Sequence, residues 1–446
     1  MAIEMRVDHT RTGDPSRQAR RIVLATFGSL GDLNPFIALA KGLKARGFEP
    51  VIATSGLHRG RVESQGIGFH PIGPDFSEME HDAEMHRRAM DLKHGGEYVF
   101  KQLLMPHLRS SYDDLRVALE GADLLVAHLI MYAAPLVVEA TRTPWLTVAL
   151  SPISFFSKYD PPVPPPAAWM RHLHPLGPSF WGQFNHLAKW TVRSWTEPAR
   201  RFRAELGLPP GGDPIFDDAF SPHGTLALFS ALLGEPQADW PAKTTQAGFA
   251  FFDDAVRDGS RDRDLERFLG AGDPPIVFTL GSSAVMDAGR FYDESLSAAR
   301  KLGRRAVLLI GKDPRNQPKT SLPDDAIAVE YAPYSELFPR AAAIVHQGGV
   351  GTTGQGLRSG RPTLVVPWSH DQPDNAHRVS RLGVGKTVTR ARYTSRTAAA
   401  ALRTMLDDPA YTARAEEVGR RVRAEDGVGA ACDVIERTLE ASRRRT

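Results

Sequence analysis

His346-Gln347-Gly348-Gly349-Val350-Gly351-Thr352-Thr353, followed by Pro367-Trp368-Ser369-His370-Asp371-Gln372, decides how this chain is built. An apolar run, Ala341 to Val345, leads into it and predicts a buried strand. The glycines allow a tight turn, and the pattern from Thr352 to Ser359 starts a helix. A helix N-terminus reached through a glycine turn is an anion site, because its first N–H groups lack intrahelical partners and its dipole favours negative charge. His346 at the strand end is read as a further donor aimed at the same place, with Gly348, Gly349, Gly351 and Thr352 forming the cradle. The next strand, Thr363 to Val366, ends at Asp371-Gln372, an acceptor pair suited to hydroxyl groups. Phosphate at one end and hydroxyls at the other describe a nucleotide sugar.

Outward from this stretch, strand, glycine turn and helix recur. Ile22 to Phe27 is followed by Gly28-Ser29-Leu30-Gly31-Asp32, a helical pattern from Pro35 to Ala45, and a strand from Val51 to Thr54. Ile276 to Leu280 leads to Gly281-Ser282-Ser283, a helix around Phe291 to Leu302, and a strand from Ala306 to Ile310. Two such openings imply two doubly wound parallel sheets facing each other across a cleft, with both glycine loops at strand carboxyl ends. The segmentation predicted is a tail over 1–20, an N-terminal domain over 21–233, a linker over 234–247, a second domain over 248–411 and C-terminal helices over 412–446.

Composition narrows the class. At 446 residues the chain exceeds one ordinary core, and 42% hydrophobic with 24% charged residues is globular. A net charge of +3 is small beside 55 basic and 52 acidic residues, which does not call for nucleic acid. One cysteine, Cys432, no signal-like N-terminus and no long apolar run predict a cytoplasmic protein without an integral membrane segment. The Asp-Asp pairs lie in polar turns, and no metal cluster is read.

The residues His346 to Thr353 with Asp371-Gln372 resemble the donor-binding signature of family 1 UDP-glycosyltransferases, inverting enzymes of the GT-B fold. Gly28-Ser29-Leu30-Gly31-Asp32-Leu33-Asn34-Pro35 resembles the Gly-Asp loop of the sterol, antibiotic and macrolide glycosyltransferase branch. The similarity runs from about Arg21 to about Glu440. It implies hexose transfer, taken as glucose, from a UDP-sugar co-substrate to a hydrophobic small-molecule acceptor of phenolic, flavonoid, macrolide or sterol type, with no cofactor and no metal. It also implies that the last helix packs back on the N-terminal domain. By position alone Asp32 is a helix cap; the resemblance makes it the general base. His128, after the strand Leu124 to Ala127, either orients the acceptor or partners the base, or is a satisfied strand-end histidine. Ser282 and Ser283 join His346 and the turn around the diphosphate. Tyr331, Ala332 and Tyr334 face the nucleobase, and Asp371 and Gln372 the sugar. Gly354 stands where plant members carry the Glu that holds ribose, so UDP preference over TDP is not carried over. The aromatics of 151–200, including Trp169, Trp181, Trp190 and Trp195, are either a small core or a lid over the acceptor.

The sequence also admits other classes. A nicotinamide oxidoreductase fails on the Gly28-x-x-Gly31 spacing and on Ala53-Thr54-Ser55, which lacks the acidic ribose ligand. A UDP-sugar epimerase and a non-catalytic nucleotide-sugar-binding helper share the architecture.

Overall fold

The computed structural model describes residues 20–75, 82–253 and 263–444. All but one residue of the predicted N-terminal tail lies outside the described residues. The first sheet comprises β1 (Arg21–Ala25), β2 (Glu49–Thr54), β3 (Gly68–Pro71), β4 (Leu124–His128), β5 (Trp145–Ala149), β6 (Thr225–Ala227) and β7 (Thr244–Gln246). The second comprises β8 (Ile276–Thr279), β9 (Ala306–Leu309), β10 (Ala326–Val329), β11 (Ala343–His346), β12 (Thr363–Val365) and β13 (Gly385–Thr387). The helices that matter below are α1 (Leu30–Ala45), α2 (Gly177–Val192), α3 (Phe291–Leu302), α4 (Val350–Ser359), α5 (Gln372–Arg381), α6 (Pro409–Arg423) and α7 (Gly427–Arg443).

Strand order is β3-β2-β1-β4-β5-β6-β7 in one sheet and β10-β9-β8-β11-β12-β13 in the other. All pairings are parallel, with Val23 opposite Val51 in β2 and Leu125 in β4, and Val277 opposite Val307 and Ile344. The short β-branched and leucine runs are buried on both faces, as parallel strands covered by helices must be. Strand order reverses direction between β1 and β4, and again between β8 and β11. Ligands bind beyond the carboxyl ends at such switch points. The Gly28–Asp32 loop and His128 stand at the first point, Gly281–Ser283 and the His346 turn at the second.

Two element boundaries differ from the sequence reading. Helix α1 begins at Leu30, five residues before Pro35, because Ser29 caps it, and Pro35 is its sixth residue, where the Gly31 carbonyl goes without an intrahelical donor. The passage read as a linker, 234–247, carries β7, which pairs with β6 through Thr225↔Thr244 and closes the first sheet. The crossing to the second domain therefore follows Gln246. That pairing is long-range and leaves no period-two signal in three residues.

Helix α7 returns to the first domain. Ala431, Cys432, Ile435 and Leu439 share a core with Phe36, Leu39 and Leu43 of α1, and Arg46 reaches Asp433 at 2.6 Å. Between the sheets a further apolar cluster joins Phe155, Phe229 and Phe249 to Leu357, Val379, Val418 and Val422. No described helix is long and apolar enough to cross a membrane.

Candidate active site

At the first switch point the chain turns at Gly28, whose φ of +108° is in the region that glycine tolerates. A Cβ there would stand 2.4 Å from Asp32 Oδ2, so only glycine lets this carboxylate fold back under the turn. Ser29 is the N-cap of α1 and Asp32 its third residue, in a reciprocal capping box. Asp32 Oδ2 accepts from the Ser29 N–H at 2.8 Å and from Ser29 Oγ at 3.1 Å. Burial raises its pKa to about 6, against those hydrogen bonds, which lower it. A carboxylate held on one oxygen and poised near neutrality suits general-base work. His58, which sequence reading passed over, hydrogen bonds the Gly28 carbonyl at 3.0 Å.

His128 is buried at the end of β4, with Nδ1 3.3 Å from Thr26 Oγ1, and burial lowers its pKa to about 3. Its ring lies against Phe36. Among the described residues no hydrogen bond joins it to Asp32, so the two are not assembled as a dyad.

At the second switch point Gly348 turns with φ +94°, and Gly349 caps α4 without a side chain. The first turn of α4 carries no acidic residue, so its N-terminus is open. His346 differs from its sequence reading. The ring is fully buried, and Nδ1 accepts from the Gly348 N–H at 2.9 Å. Burial lowers its pKa to about 3, so the ring is neutral and its proton sits on Nε2. Among the described residues that nitrogen has no hydrogen-bond partner, and it faces the body of α4, 3.7 Å from a Cβ placed on Gly356. The imidazole braces the turn from behind instead of pointing from it.

The Gly281 loop touches this turn, since a Cβ on Gly281 would stand 2.2 Å from Gln347 Nε2. Ser282 on that loop is exposed and Ser283 half-buried. Tyr331 is largely exposed and Ala332 buried. Tyr334 is turned inward, its hydroxyl 2.9 Å from Thr279 Oγ1 and its ring stacked on Phe338. Gly354 is covered by Phe249, whose ring would lie 2.8 Å from a Cβ there.

Asp371 and Gln372 open α5 and divide in role. Gln372 Oε1 accepts from the N–H groups of Trp368 at 2.8 Å and Ser369 at 3.2 Å, so it organises its own turn. Asp371 is half-buried, and its pKa is raised to about 7, first by burial and, after the opposing hydrogen bond from Asn375, by the charge of Asp32. Asn375 binds Asp371 Oδ2 at 2.7 Å and the Gly348 carbonyl at 2.9 Å, tying the glycine turn to the carboxylate. Its i+4 spacing from Asp371 was the signal available in the sequence.

The two halves meet at their glycines. A Cβ on Gly351 would lie 3.9 Å from Gly31 Cα, so the N-termini of α1 and α4 face each other. Farther along α5, buried Arg378 pairs with Asp374 at 2.7 Å and with Asp160 of the first domain, and donates to the Leu233 carbonyl at 3.1 Å. Of the aromatic region, Trp181 is fully buried against His174 and Phe184, whereas Trp169 and Trp190 are exposed. The core reading of that region thus holds for Trp181, and Trp169 and Trp190 lie outside that core. Among the described residues no group of three His, Cys, Asp or Glu side chains gathers as metal ligands.

Residues 22–143 match the glycosyltransferase family 28 N-terminal domain, and residues 295–429 the erythromycin biosynthesis protein CIII-like C-terminal domain. The chain is 35% identical to O-mycaminosyltylonolide 6-deoxyallosyltransferase of Streptomyces fradiae, over 94% of this chain and 98% of the relative. It is 31% identical to the glycosyltransferase GtfE of Amycolatopsis orientalis, over 93% and 97%. A sterol 3-beta-glucosyltransferase of Cryptococcus neoformans is 30% identical over 94% of this chain, which spans 27% of that longer protein. The solved glycosyltransferase of kitacinnamycin superposes with a TM-score of 0.71 at 22% identity, covering 95% of this chain and 99% of that one.

Proposed function

Because the chain belongs to the family 1 glycosyltransferases of the macrolide and sterol type, with the GT-B fold, we propose that it transfers a hexose from a UDP- or TDP-sugar to a hydroxyl of a hydrophobic natural-product acceptor, with inversion and with Asp32 as base. The single observation that carries this reading is the facing pair of helix N-termini at Gly31 and Gly351, one bearing a carboxylate and the other bare.

The acceptor hydroxyl gives its proton to Asp32. Its oxygen forms a bond to the anomeric carbon from the face opposite the diphosphate, and the carbon–diphosphate bond breaks. The leaving diphosphate takes the electron pair and is met by the open N–H groups at the start of α4, with the Ser282-Ser283 loop on its other side. Preorganised donors of this kind contribute on the order of 3 kcal/mol each to a transition state. Asp371 receives the sugar hydroxyls, and Tyr331 with Ala332 borders the base. With Phe249 against Gly354, position 354 offers the 2′-hydroxyl no carboxylate, which is why both nucleotides are proposed.

Acceptor-dependent release of nucleoside diphosphate from UDP-glucose or TDP-glucose, followed by NMR of the product anomer, tests the reading. An inverted glycoside is the expected result. Turnover of donor without acceptor, or retention at the anomeric carbon, overturns it.

A further inference from the structure

Among the described residues, five of the ten most exposed large apolar side chains lie between 169 and 190: Trp169 (62%), Leu176 (55%), Phe180 (37%), Leu187 (59%) and Trp190 (74%). Leu176 is the N-cap of α2, and Phe180, Leu187 and Trp190 follow at four, eleven and fourteen residues, a single stripe along the helix. The opposite side of α2 buries Trp181. This helix is apolar on two sides, and among the described residues nothing covers one of them.

The charge around the stripe is one-sided. Residues 161–196 contain no Asp or Glu, in a chain with 52 acidic residues. Arg171, His172, His186 and Arg193 stand exposed beside the stripe. Carboxylates flanking the segment are engaged, Asp160 with Arg378 and Arg381, Asp217 with Lys189, and Glu197 with Arg200 and Arg201.

We propose that this face of α2 docks on an anionic phospholipid surface. Tryptophans settle at headgroup depth, leucine and phenylalanine reach the acyl boundary, and arginines meet lipid phosphates. The stripe is one helix wide, which suits a plane. A second copy of the same face would oppose cations to cations, which disfavours self-association. The segment before α2 contacts the donor domain through His174 and His377, whose rings stand 5.0 Å apart. Docking would thus set the cleft beside the phase where apolar acceptors dissolve; that consequence rests on the proposed function, the docking itself does not.

The test is cosedimentation of the full chain with phosphatidylglycerol/phosphatidylcholine vesicles and with phosphatidylcholine alone, for the parent, L176S/L187S and R171E/R193E. The parent should bind the anionic vesicles, with at least about tenfold weaker partition in either double variant and at high salt. Both variants should keep parental circular dichroism and parental turnover of a water-soluble acceptor without lipid. No binding by the parent, or equal binding to both vesicle types with no effect of R171E/R193E, overturns the proposal. So does a parental dimer in light scattering that L176S/L187S dissolves, or a rise in acceptor KM for L176S/L187S in lipid-free buffer, since these assign the stripe to a second copy or to the acceptor pocket.

Discussion

The two glycine loops that face each other across the cleft are built on one topological plan and finished in opposite ways. At α1 the helix start is closed, with Ser29 as cap and Asp32 folded back on it. At α4 it is open, with Gly349 supplying no side chain and no acid in the first turn. A closed, carboxylate-bearing start repels phosphate and can take a proton; an open start attracts phosphate and has nothing to protonate. On the proposed function, two strand, glycine turn and helix units are thus divided between acceptor and donor by which side chain occupies the first helical turn.

The comparison is broken most severely at its carboxylate. Asp32→Asn should lower turnover at least about 100-fold while the Kd for UDP, by calorimetry, stays within a few-fold. Near-parental turnover would return Asp32 to a helix cap.

Converting the open start into a closed one is the next test. Gly349→Asp would place a capping carboxylate where the diphosphate is proposed to sit. UDP affinity should fall about 50-fold while Tm rises, as a cap replaces bare N–H groups. Unchanged affinity would move the anion site elsewhere.

His346→Ala removes the acceptor of the Gly348 N–H and empties a buried volume behind the turn. UDP binding and kcat/KM should both drop about tenfold, the scale of one lost buried hydrogen bond. Parental UDP affinity would leave the turn braced without it.

Protonation sharpens the contrast more gently. The folded pKa values of Asp32, about 6, and Asp371, about 7, lie above the ordinary carboxylate value. The folded state therefore binds more protons than the unfolded one between pH ~4 and ~7, and stability falls as pH rises through that window. Denaturant titration of Asp371→Asn should show a gain on the order of 1–2 kcal/mol at pH 8 that vanishes near pH 4. Activity should fall below about pH 6 as Asp32 takes up its proton.

The smallest effects are expected at the ribose and at metal. TDP-glucose should be used within about tenfold of UDP-glucose, because no buried acceptor penalises the 2′-deoxy sugar. Activity should survive excess EDTA. A thousandfold UDP preference, or loss in EDTA restored by Mg²⁺, would refute these two expectations respectively.

The sequence by itself determined the repeated strand, glycine turn and helix, the two doubly wound sheets, and the candidate residues at both loops. Those features are local, since period-two and period-3.6 burial and a glycine's backbone freedom are written within one or two turns of chain. Tertiary structure decided what those residues face. His346 turns into the protein because α4 packs over it, and the Asp32 pKa rises to about 6 because burial strips water from its carboxyl. The strand β7 exists only through its pairing with β6, and Asn375 matters only because Gly348 is brought beside α5. Which way a side chain points and how much water it keeps are set by contacts with other elements of the fold, so no pattern within one or two turns of chain carries them.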